Sequence, residues 1–138
     1  MNERIIQYYM DIAKRTSLLS YAKKLKVGAI LVKDDMIISH SWNGMPRGWD
    51  NTCEFVLSNN ELKTKPEVTH AEEAMLMKVS SSHQSTKDAI LFCTHSCCMN
   101  CAKLIYGAKI KEFYYSQEYR SSDGIEFLKK CNIPVYKV

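Results

Sequence analysis

The segment CTHSCCMNC, residues 93–101, contains four of the six cysteines of this 138-residue chain. It joins the apolar run AILFCT (89–94), which is typical of a buried strand, to CMNCAKLIYGA (98–108), which has the pattern of a helix. Cys98 and Cys101 therefore form a C-x-x-C motif where a strand ends and a helix begins. Two thiolates at this spacing chelate one zinc ion, and a helix N-terminus lowers the pKa of a thiol. The segment predicts a metal site at this junction.

The upstream sequence THAEEAML, which begins at Thr69, supplies further groups for such a site. We predict a helix over 70–79 that is capped by Thr69. His70 would be a third ligand, which leaves one tetrahedral position for water, as in catalytic zinc sites. Glu72, in the first turn, would take a proton from that water and deliver it to a leaving group. The neighbouring Glu73 would complement the helix dipole.

The other cysteines leave some alternatives open. Cys97 competes with Cys98 as a ligand, although the two-residue spacing to Cys101 favours Cys98. A redox dithiol is the main alternative for the C-x-x-C motif. Cys53 is either structural or part of a second metal site. Two thiols are predicted to lie in the core or at its boundary: Cys93 and Cys131.

The sequence gives weaker evidence of a functional role for the histidines other than His70. His95 precedes the cysteines closely and either lines the pocket or is a loop residue without a chemical role. His40 lies in a predicted strand and is expected to be structural. His83 lies in the polar loop SSSHQSTKD and is expected to be solvated.

Hydrophobic periodicity predicts the secondary structure. Apolar residues such as Ile5, Tyr9 and Ile12 predict a helix over 3–25. Two β-branched runs separated by DD predict a hairpin, and a long connection, 44–69, follows it. The predicted elements after the first helix are strands 27–33, 36–43, 89–94, 110–116 and 133–138, and helices 70–79, 98–108 and 122–131.

The order α-β-β-α-β-α-β-α-β predicts an α/β sandwich with a mixed, five-stranded sheet. About 16 residues that include a helix separate the last two strands, so these strands are expected to be parallel. Pro134 lies early in the last strand, which favours an edge position because proline has no N–H to donate.

Composition limits the classes of function. Hydrophobic residues make up 46% and charged residues 25%, which is typical of one globular domain over 1–138. No apolar run approaches the roughly 18 residues of a membrane span, and charges interrupt the N-terminus where a signal peptide is apolar. We therefore expect a reducing, cytoplasmic location, where clustered cysteines bind metal or catalyse. The net charge of +4 is scattered along the chain, which disfavours a nucleic-acid partner and suits a small phosphorylated ligand.

H-x-E followed by C-x-x-C is typical of zinc nucleobase deaminases. Three longer segments extend the likeness: KVGAILVKDDMIISHSWNGMPRG (26–48), HAEEAML (70–76) and CTHSCCMNCAKLIYGAKIKEFYYSQEY (93–119). Together they resemble the deoxycytidylate (dCMP) deaminase family, in which WNGMPRG matches a Y-N-G-x-P-x-G stretch. The resemblance implies a three-layer α-β-α sandwich of the cytidine-deaminase type. It also implies hydrolysis of dCMP to dUMP and ammonia by a zinc-activated water.

The same resemblance implies roles for particular residues. Zinc would be bound by His70, Cys98 and Cys101, with Glu72 shuttling protons. Tyr119 matches a tyrosine that helps to bind the substrate's 5′-phosphate, and Asn43 matches an asparagine near the sugar and the regulatory nucleotide. Members are commonly hexamers that dCTP activates and dTTP inhibits, with a divalent cation such as Mg²⁺ on the triphosphate. The candidate effector residues are Lys26, Asn43 and Arg47.

The chain also departs from the family pattern. Cys97 replaces a proline that pre-shapes the turn before the first ligand cysteine. Ala74 replaces an asparagine, and the 44–69 connection is short, with only Cys53 to offer a second zinc, so we expect none. Two alternatives remain: another deaminase of this fold, acting on tRNA adenosine, cytosine or guanine, and a non-catalytic zinc module closed by Cys97 or Cys53.

Overall fold

A computed structural model describes residues 1–138. The helices are α1 (Glu3–Ser17), α2 (Ala71–Ser80), α3 (Met99–Gly107) and α4 (Asp123–Lys130). The strands are β1 (Gly28–Lys33), β2 (Met36–Trp42), β3 (Glu54–Val56), β4 (Leu62–Thr64), β5 (Ile90–His95), β6 (Glu112–Gln117) and β7 (Val135–Lys137). Apart from α1, the predicted helices and strands are present with ends displaced by no more than two residues.

Five strands form one mixed sheet in the order β2-β1-β5-β6-β7. β1 is antiparallel to both β2 and β5, whereas β5, β6 and β7 are parallel neighbours. The last two strands are therefore parallel, as predicted, and each parallel crossover contains a helix. β7 lies at the edge, and Pro134 before it accepts the N–H of Phe113 through its carbonyl at 3.0 Å.

Helices cover both faces of this sheet. Alternate residues of β1 point to opposite sides, as the pleat requires. Ala29 and Leu31 belong to the larger apolar cluster, which also contains residues of α2, α3 and α4. Ile30 and Val32 belong to a second cluster with residues of α1. The three-layer α-β-α sandwich is thus confirmed, and burial on both faces explains the uninterrupted apolar run of β1.

The first helix is shorter than predicted. The prediction of a helix over 3–25 is wrong beyond Ser17, where α1 ends. The backbone N–H groups of Lys23 and Lys24 donate to the Glu54 carboxylate at 2.9 and 3.1 Å instead of to helical carbonyls. This long-range contact gives the segment a tertiary partner that periodicity does not reveal.

The connection over 44–69 contains a second, two-stranded antiparallel sheet made of β3 and β4. The sequence does not predict this sheet, because each strand has three residues and the turn has no strong hairpin signal. Glu54, the first residue of β3, is 6% exposed, and it attaches this small sheet to the segment after α1. None of the four helices combines the length and apolarity that a membrane crossing needs.

Candidate active site

Three predicted ligands converge at the starts of two helices. His70 is the N-cap residue of α2, Cys98 is the N-cap of α3, and Cys101 lies in the first turn of α3. His70 Nδ1 lies 3.5 Å from Cys98 Sγ and 3.4 Å from Cys101 Sγ. One donor atom from each residue falls within 4.8 Å of the others. One imidazole nitrogen and two thiol sulfurs at these separations suit a single tetrahedral zinc ion.

Local hydrogen bonds hold His70 at this position. Its backbone N–H donates to Glu73 Oε1 at 2.7 Å, so Glu73 does more than complement the dipole. The prediction that Thr69 caps α2 is wrong: His70 is the N-cap residue, and the Thr69 hydroxyl donates to the Gly44 carbonyl at 3.3 Å. The two backbone hydrogen bonds between Thr69 and Gly44 tie the start of α2 to the end of β2. These hydrogen bonds fix His70 at the N-terminal end of α2.

The cysteine turn is held from two sides. Cys98 Sγ accepts the N–H of Cys101 at 3.4 Å, which closes the turn internally. From outside, α4 packs so closely that a Cβ on Gly124 would lie 2.2 Å from the Cys97 carbonyl oxygen and 2.7 Å from that of Cys98. The Cys97 side chain is fully buried in the core and lies outside the donor cluster. The preference for Cys98 over Cys97 therefore agrees with the geometry.

The protonation of the three groups follows from their contacts. Hydrogen bonds from Cys101 and His70 lower the pKa of Cys98 to about 3. The same contact with Cys98 raises the pKa of His70 to about 9. The pKa of Cys101 is raised, because its thiol donates to Cys98 and is also buried. The cluster thus already contains one thiolate, and a metal ion would displace the protons from the other two groups.

Glu72 lies beside the cluster and is 4% exposed. Cys93, which lies on β5, donates its thiol to Glu72 Oε1 at 3.5 Å. Burial raises the pKa of Glu72 above its ordinary value and raises the pKa of Cys93 well above its own. Cys93 is therefore a core thiol, as predicted, that acts as a donor and orients the acid. A buried carboxyl with a raised pKa suits proton transfer at neutral pH.

A cavity of about 380 Å³ opens onto these groups. It is lined by His70, Glu72 and Cys98 and by Asn43 and Tyr119, which the resemblance placed near the substrate. His95 also lines it, which favours the first of the two alternatives left open for this residue. The segment after β6 forms one wall, where the Tyr119 N–H donates to Ser96 Oγ at 2.6 Å. The metal cluster, the acid and the proposed nucleotide contacts therefore share one opening.

The predicted effector residues do not gather at this cavity. Asn43 lines it, but its Nδ2 donates to the Leu25 carbonyl at 2.8 Å and its Oδ1 accepts the Val27 N–H at 2.9 Å. Lys26 and Arg47 are exposed and are absent from the lining, and Lys26 Nζ donates to the Ser20 carbonyl at 2.7 Å. In this structure Asn43 holds the 25–27 backbone.

Several cavity residues were missed by the sequence analysis. The most important are Lys24, Glu54, Ser96 and Arg120. Arg120 follows Tyr119 at the carboxyl end of a parallel strand, a position that could have indicated it. Lys24 and Glu54 had no local signal, because only the long-range bond between their segments brings them to the cavity.

Comparison with known proteins identifies the family of this chain. The family described as "Cytidine and deoxycytidylate deaminase zinc-binding region" matches residues 3–117. The chain belongs to the cytidine and deoxycytidylate deaminase family. The resemblance seen in the sequence is thereby confirmed, and the chain is a zinc-dependent hydrolase.

Individual relatives agree with this assignment. The crystal structure of a dCMP deaminase from the cyanophage S-TIM5, in complex with dCMP and dUMP, is 42% identical and superposes with a TM-score of 0.93, covering 100% of this chain and 99% of that one. ComE operon protein 2 of Bacillus subtilis is 30% identical over 96% of this chain and 70% of its own length. Human deoxycytidylate deaminase is 34% identical over 85% of this chain and 67% of its own length.

The remaining thiols and histidines lie outside the deaminase site's donor cluster. Cys53 is buried, and its Sγ donates to the Asn51 carbonyl at 3.5 Å. Neither Cys53 nor Cys97 contributes to the cluster, so the closed site of a structural zinc module is not formed by these cysteines. His83 is exposed, as predicted. His40 is exposed as well and lies edge-on to Trp42, with 5.8 Å between the ring centroids, so its structural role stays a prediction.

Proposed function

We propose that this chain hydrolyses dCMP to dUMP and ammonia. The observation that carries the proposal is the cavity that leads from the protein surface to the cluster of His70, Cys98 and Cys101 and to the buried Glu72. A cavity is needed by a site that must admit a substrate, and a structural zinc site has no use for one. The choice of substrate is supported by the 42% identity, over the whole chain, to a protein whose structure contains dCMP and dUMP.

His70, Cys98 and Cys101 would bind the zinc ion of this reaction. When bound, zinc polarises a water molecule and lowers its pKa to about 7, which makes a nucleophile available at neutral pH. The three side chains contribute one nitrogen and two sulfurs, and they leave the side facing the cavity to solvent and substrate.

Glu72 would carry the protons between water and the base. Its carboxylate would accept a proton from the attacking water and deliver it to N3 of the cytosine. It would then take the remaining proton from the hydroxyl group newly bonded to C4 and deliver it to the amino group, so that C4=O forms, the C4–N bond breaks and ammonia leaves. Burial supports this role, because it raises the pKa of Glu72 and so makes its carboxylate a stronger base than an exposed one. The Cys93 thiol donates to one carboxyl oxygen of Glu72 from the core side.

The 5′-phosphate would be bound by cavity-lining residues of two segments: Lys24, and Tyr119 with Arg120 after β6. The chain's ion pair joins Lys137 to Glu118 at 3.2 Å, so neither Lys24 nor Arg120 has a carboxylate partner. Arg120 lies over the Tyr119 ring, 5.7 Å from its centroid, which restrains the guanidinium. Cations that line a cavity and have no carboxylate partner suit a dianionic phosphate.

Regulation and assembly are proposed on the family resemblance. We propose a cytoplasmic, single-domain enzyme that forms a homohexamer, with dCTP as activator, dTTP as inhibitor and Mg²⁺ on the triphosphate. Lys26, Asn43 and Arg47 remain the candidate effector residues. Sigmoidal dCMP kinetics that become hyperbolic with dCTP would support regulation, whereas kinetics indifferent to both nucleotides would contradict it.

The substrate proposal is tested by ammonia release from the zinc-loaded protein. The substrates are dCMP, deoxycytidine, cytosine, guanine and a tRNA anticodon stem, each at the same concentration. We expect dCMP to have the highest kcat/KM. Turnover of another substrate with inert dCMP would overturn the proposal in favour of another deaminase of this fold.

The role of Glu72 is tested by Glu72→Gln. We expect kcat for dCMP to fall by about 10²–10⁴-fold, since the amide cannot carry the proton. Zinc content and melting temperature should be retained. Glu73→Gln is the matched control, because Gln still accepts the His70 N–H, and its kcat should stay within a few-fold of the unmodified protein. Full activity in Glu72→Gln would remove this residue from the mechanism.

A further inference from the structure

His95, the last residue of β5, lines the cavity but has no part in the steps above. Its Nδ1 lies 2.8 Å from Thr94 Oγ1. The same hydroxyl oxygen accepts the backbone N–H of Gly28 at 3.1 Å. A short chain of hydrogen bonds therefore runs from β1 through Thr94 to the imidazole.

These hydrogen bonds favour one tautomer of the His95 imidazole. Thr94 is 4% exposed, and its hydroxyl has one hydrogen to donate. Since Oγ1 accepts from Gly28, the acceptor left for that hydrogen is His95 Nδ1. The opposite arrangement, with Nδ1 donating, would leave a buried hydroxyl hydrogen without a partner, which is costly. Nδ1 is therefore unprotonated, and the proton of the neutral ring is on Nε2.

The Nε2–H group is a donor without a protein partner. His95 makes no other side-chain hydrogen bond, and the ring is partly buried at the cavity wall. Burial lowers the pKa of His95, in accordance with a neutral ring. The ring is oriented by Thr94 through Nδ1, and its Nε2–H is available to an acceptor on a ligand.

The position of His95 indicates which part of a nucleotide it meets. In the parallel pair of β5 and β6, His95 lies opposite Gln117. The next residue, Ser96, accepts the Tyr119 N–H, so the wall that carries Tyr119 and Arg120 is attached beside the histidine. The metal cluster starts three residues later, at Cys98. His95 thus lies between the place proposed for the base and the place proposed for the phosphate.

We propose that His95 donates its Nε2–H to an oxygen of the substrate's 5′-phosphate and makes the enzyme prefer a nucleotide to a nucleoside. The inference rests on the proposed function and extends it. The acceptor is charged, so this hydrogen bond is of the stronger, charge-assisted kind. Thr94 is a positioning residue, because it acts through the tautomer of the imidazole.

The test compares kcat/KM for dCMP and for deoxycytidine in two variants, with deoxycytidine followed at high enzyme concentration. His95→Phe retains a ring and removes the donor, whereas the side-chain N–H of His95→Gln can occupy the position of Nε2–H. We expect His95→Phe to lower kcat/KM for dCMP by roughly 10- to 100-fold and to change that for deoxycytidine less than about threefold. His95→Gln should recover most of the dCMP activity. Zinc content of each variant confirms that the cluster is intact.

Equal losses on both substrates in His95→Phe would overturn the phosphate assignment, because the contact would then be to the base or sugar. An unmodified protein that does not turn over dCMP would instead contradict the proposed function itself. These two failures are distinguishable in one set of assays.

The tautomer is measured separately by ¹⁵N NMR of the zinc-loaded protein with labelled histidine. We expect the Nε2–H form of His95, retained in Thr94→Ser and lost or mixed in Thr94→Val. A protonated Nδ1 in the unmodified protein would overturn the inference, and this result does not depend on turnover.

Discussion

Two adjacent cysteines have opposite environments in this chain. Cys98 faces the cluster with His70 and Cys101, and its pKa is lowered to about 3. Cys97 is fully buried in the core, and burial raises its pKa. The C-x-x-C spacing favours Cys98 from the sequence alone, whereas the absence of the family proline left Cys97 as a competitor. The burial of Cys97 explains why a thiol replaces proline there without becoming a ligand.

Single substitutions separate the two cysteines. Cys97→Ala should retain one zinc per chain and cost about 1 kcal/mol of unfolding free energy, since it removes one buried atom of moderate size. Cys98→Ser should lose zinc upon dialysis, because the replacement breaks the chelate. Metal analysis after dialysis measures both. Loss of zinc from Cys97→Ala with an unchanged fold would show that the ligands are misassigned.

Zinc binding is expected to release protons. Zinc needs a neutral imidazole and two thiolates. At pH 7.5 Cys98 is already ionised, whereas His70, with a pKa of about 9, and Cys101, with a raised pKa, still carry protons. About two protons should therefore leave per zinc bound, and the dissociation constant should rise by about 100-fold for each unit that the pH falls.

Calorimetry in buffers of different ionisation enthalpy counts these protons directly. Cys98→Ser provides a comparison in which the contact that raises the pKa of His70 is removed. A dissociation constant for zinc that does not change between pH 6 and pH 8 would contradict the prediction that zinc displaces protons from His70 and Cys101.

At the level of elements, the site depends on a helix that contributes no ligand. The first turn of α4 lies against the carbonyls of Cys97 and Cys98, and only the absence of a side chain at Gly124 allows this approach. The ligand turn is therefore clamped between its own helix and α4. This contact constrains the backbone at the place where the family has proline.

Gly124→Ala tests the clamp. The added methyl would overlap backbone atoms, which cannot move away as a flexible side chain can, so we expect a loss of about 1–3 kcal/mol in unfolding free energy and weaker zinc binding. Gly107→Ala is the matched control: apart from its chain neighbours and its own helix backbone, no atom lies within 4 Å of the added Cβ, and alanine favours the helix by up to about 1 kcal/mol. Denaturant unfolding and zinc titration measure both variants. Equal stability of the two variants would mean that α4 does not clamp the turn.

The elements also show where sequence patterns suffice. β1, β5 and α3 were predictable because their apolar runs and the C-x-x-C motif are local signals. The end of α1 was not, since the backbone after it makes long-range bonds, from Lys23 and Lys24 to Glu54 about 30 residues away, that periodicity does not reveal. The small sheet of β3 and β4 was missed because strands of three residues have almost no periodicity.

For the whole molecule, topology explains the location of the site. β5 and β6 are parallel and end at the same edge of the sheet, and α2 and α3 begin there. Their N-termini place the metal cluster, the end of β5 places His95, and the segment after β6 places Tyr119. The cluster and the acid were therefore predictable from motif and order. The wall that includes Lys24 and Glu54 was not, because tertiary bonds alone position the loops that carry them.

The proposed reaction depends on one zinc ion bound by His70, Cys98 and Cys101, with a fourth position open to solvent. X-ray absorption at the zinc edge of the purified, zinc-loaded protein measures this coordination. We expect one zinc per chain with two sulfur neighbours at about 2.3 Å and two nitrogen or oxygen neighbours at about 2.0–2.1 Å. Absence of zinc, or a shell with three or more sulfurs, would contradict it.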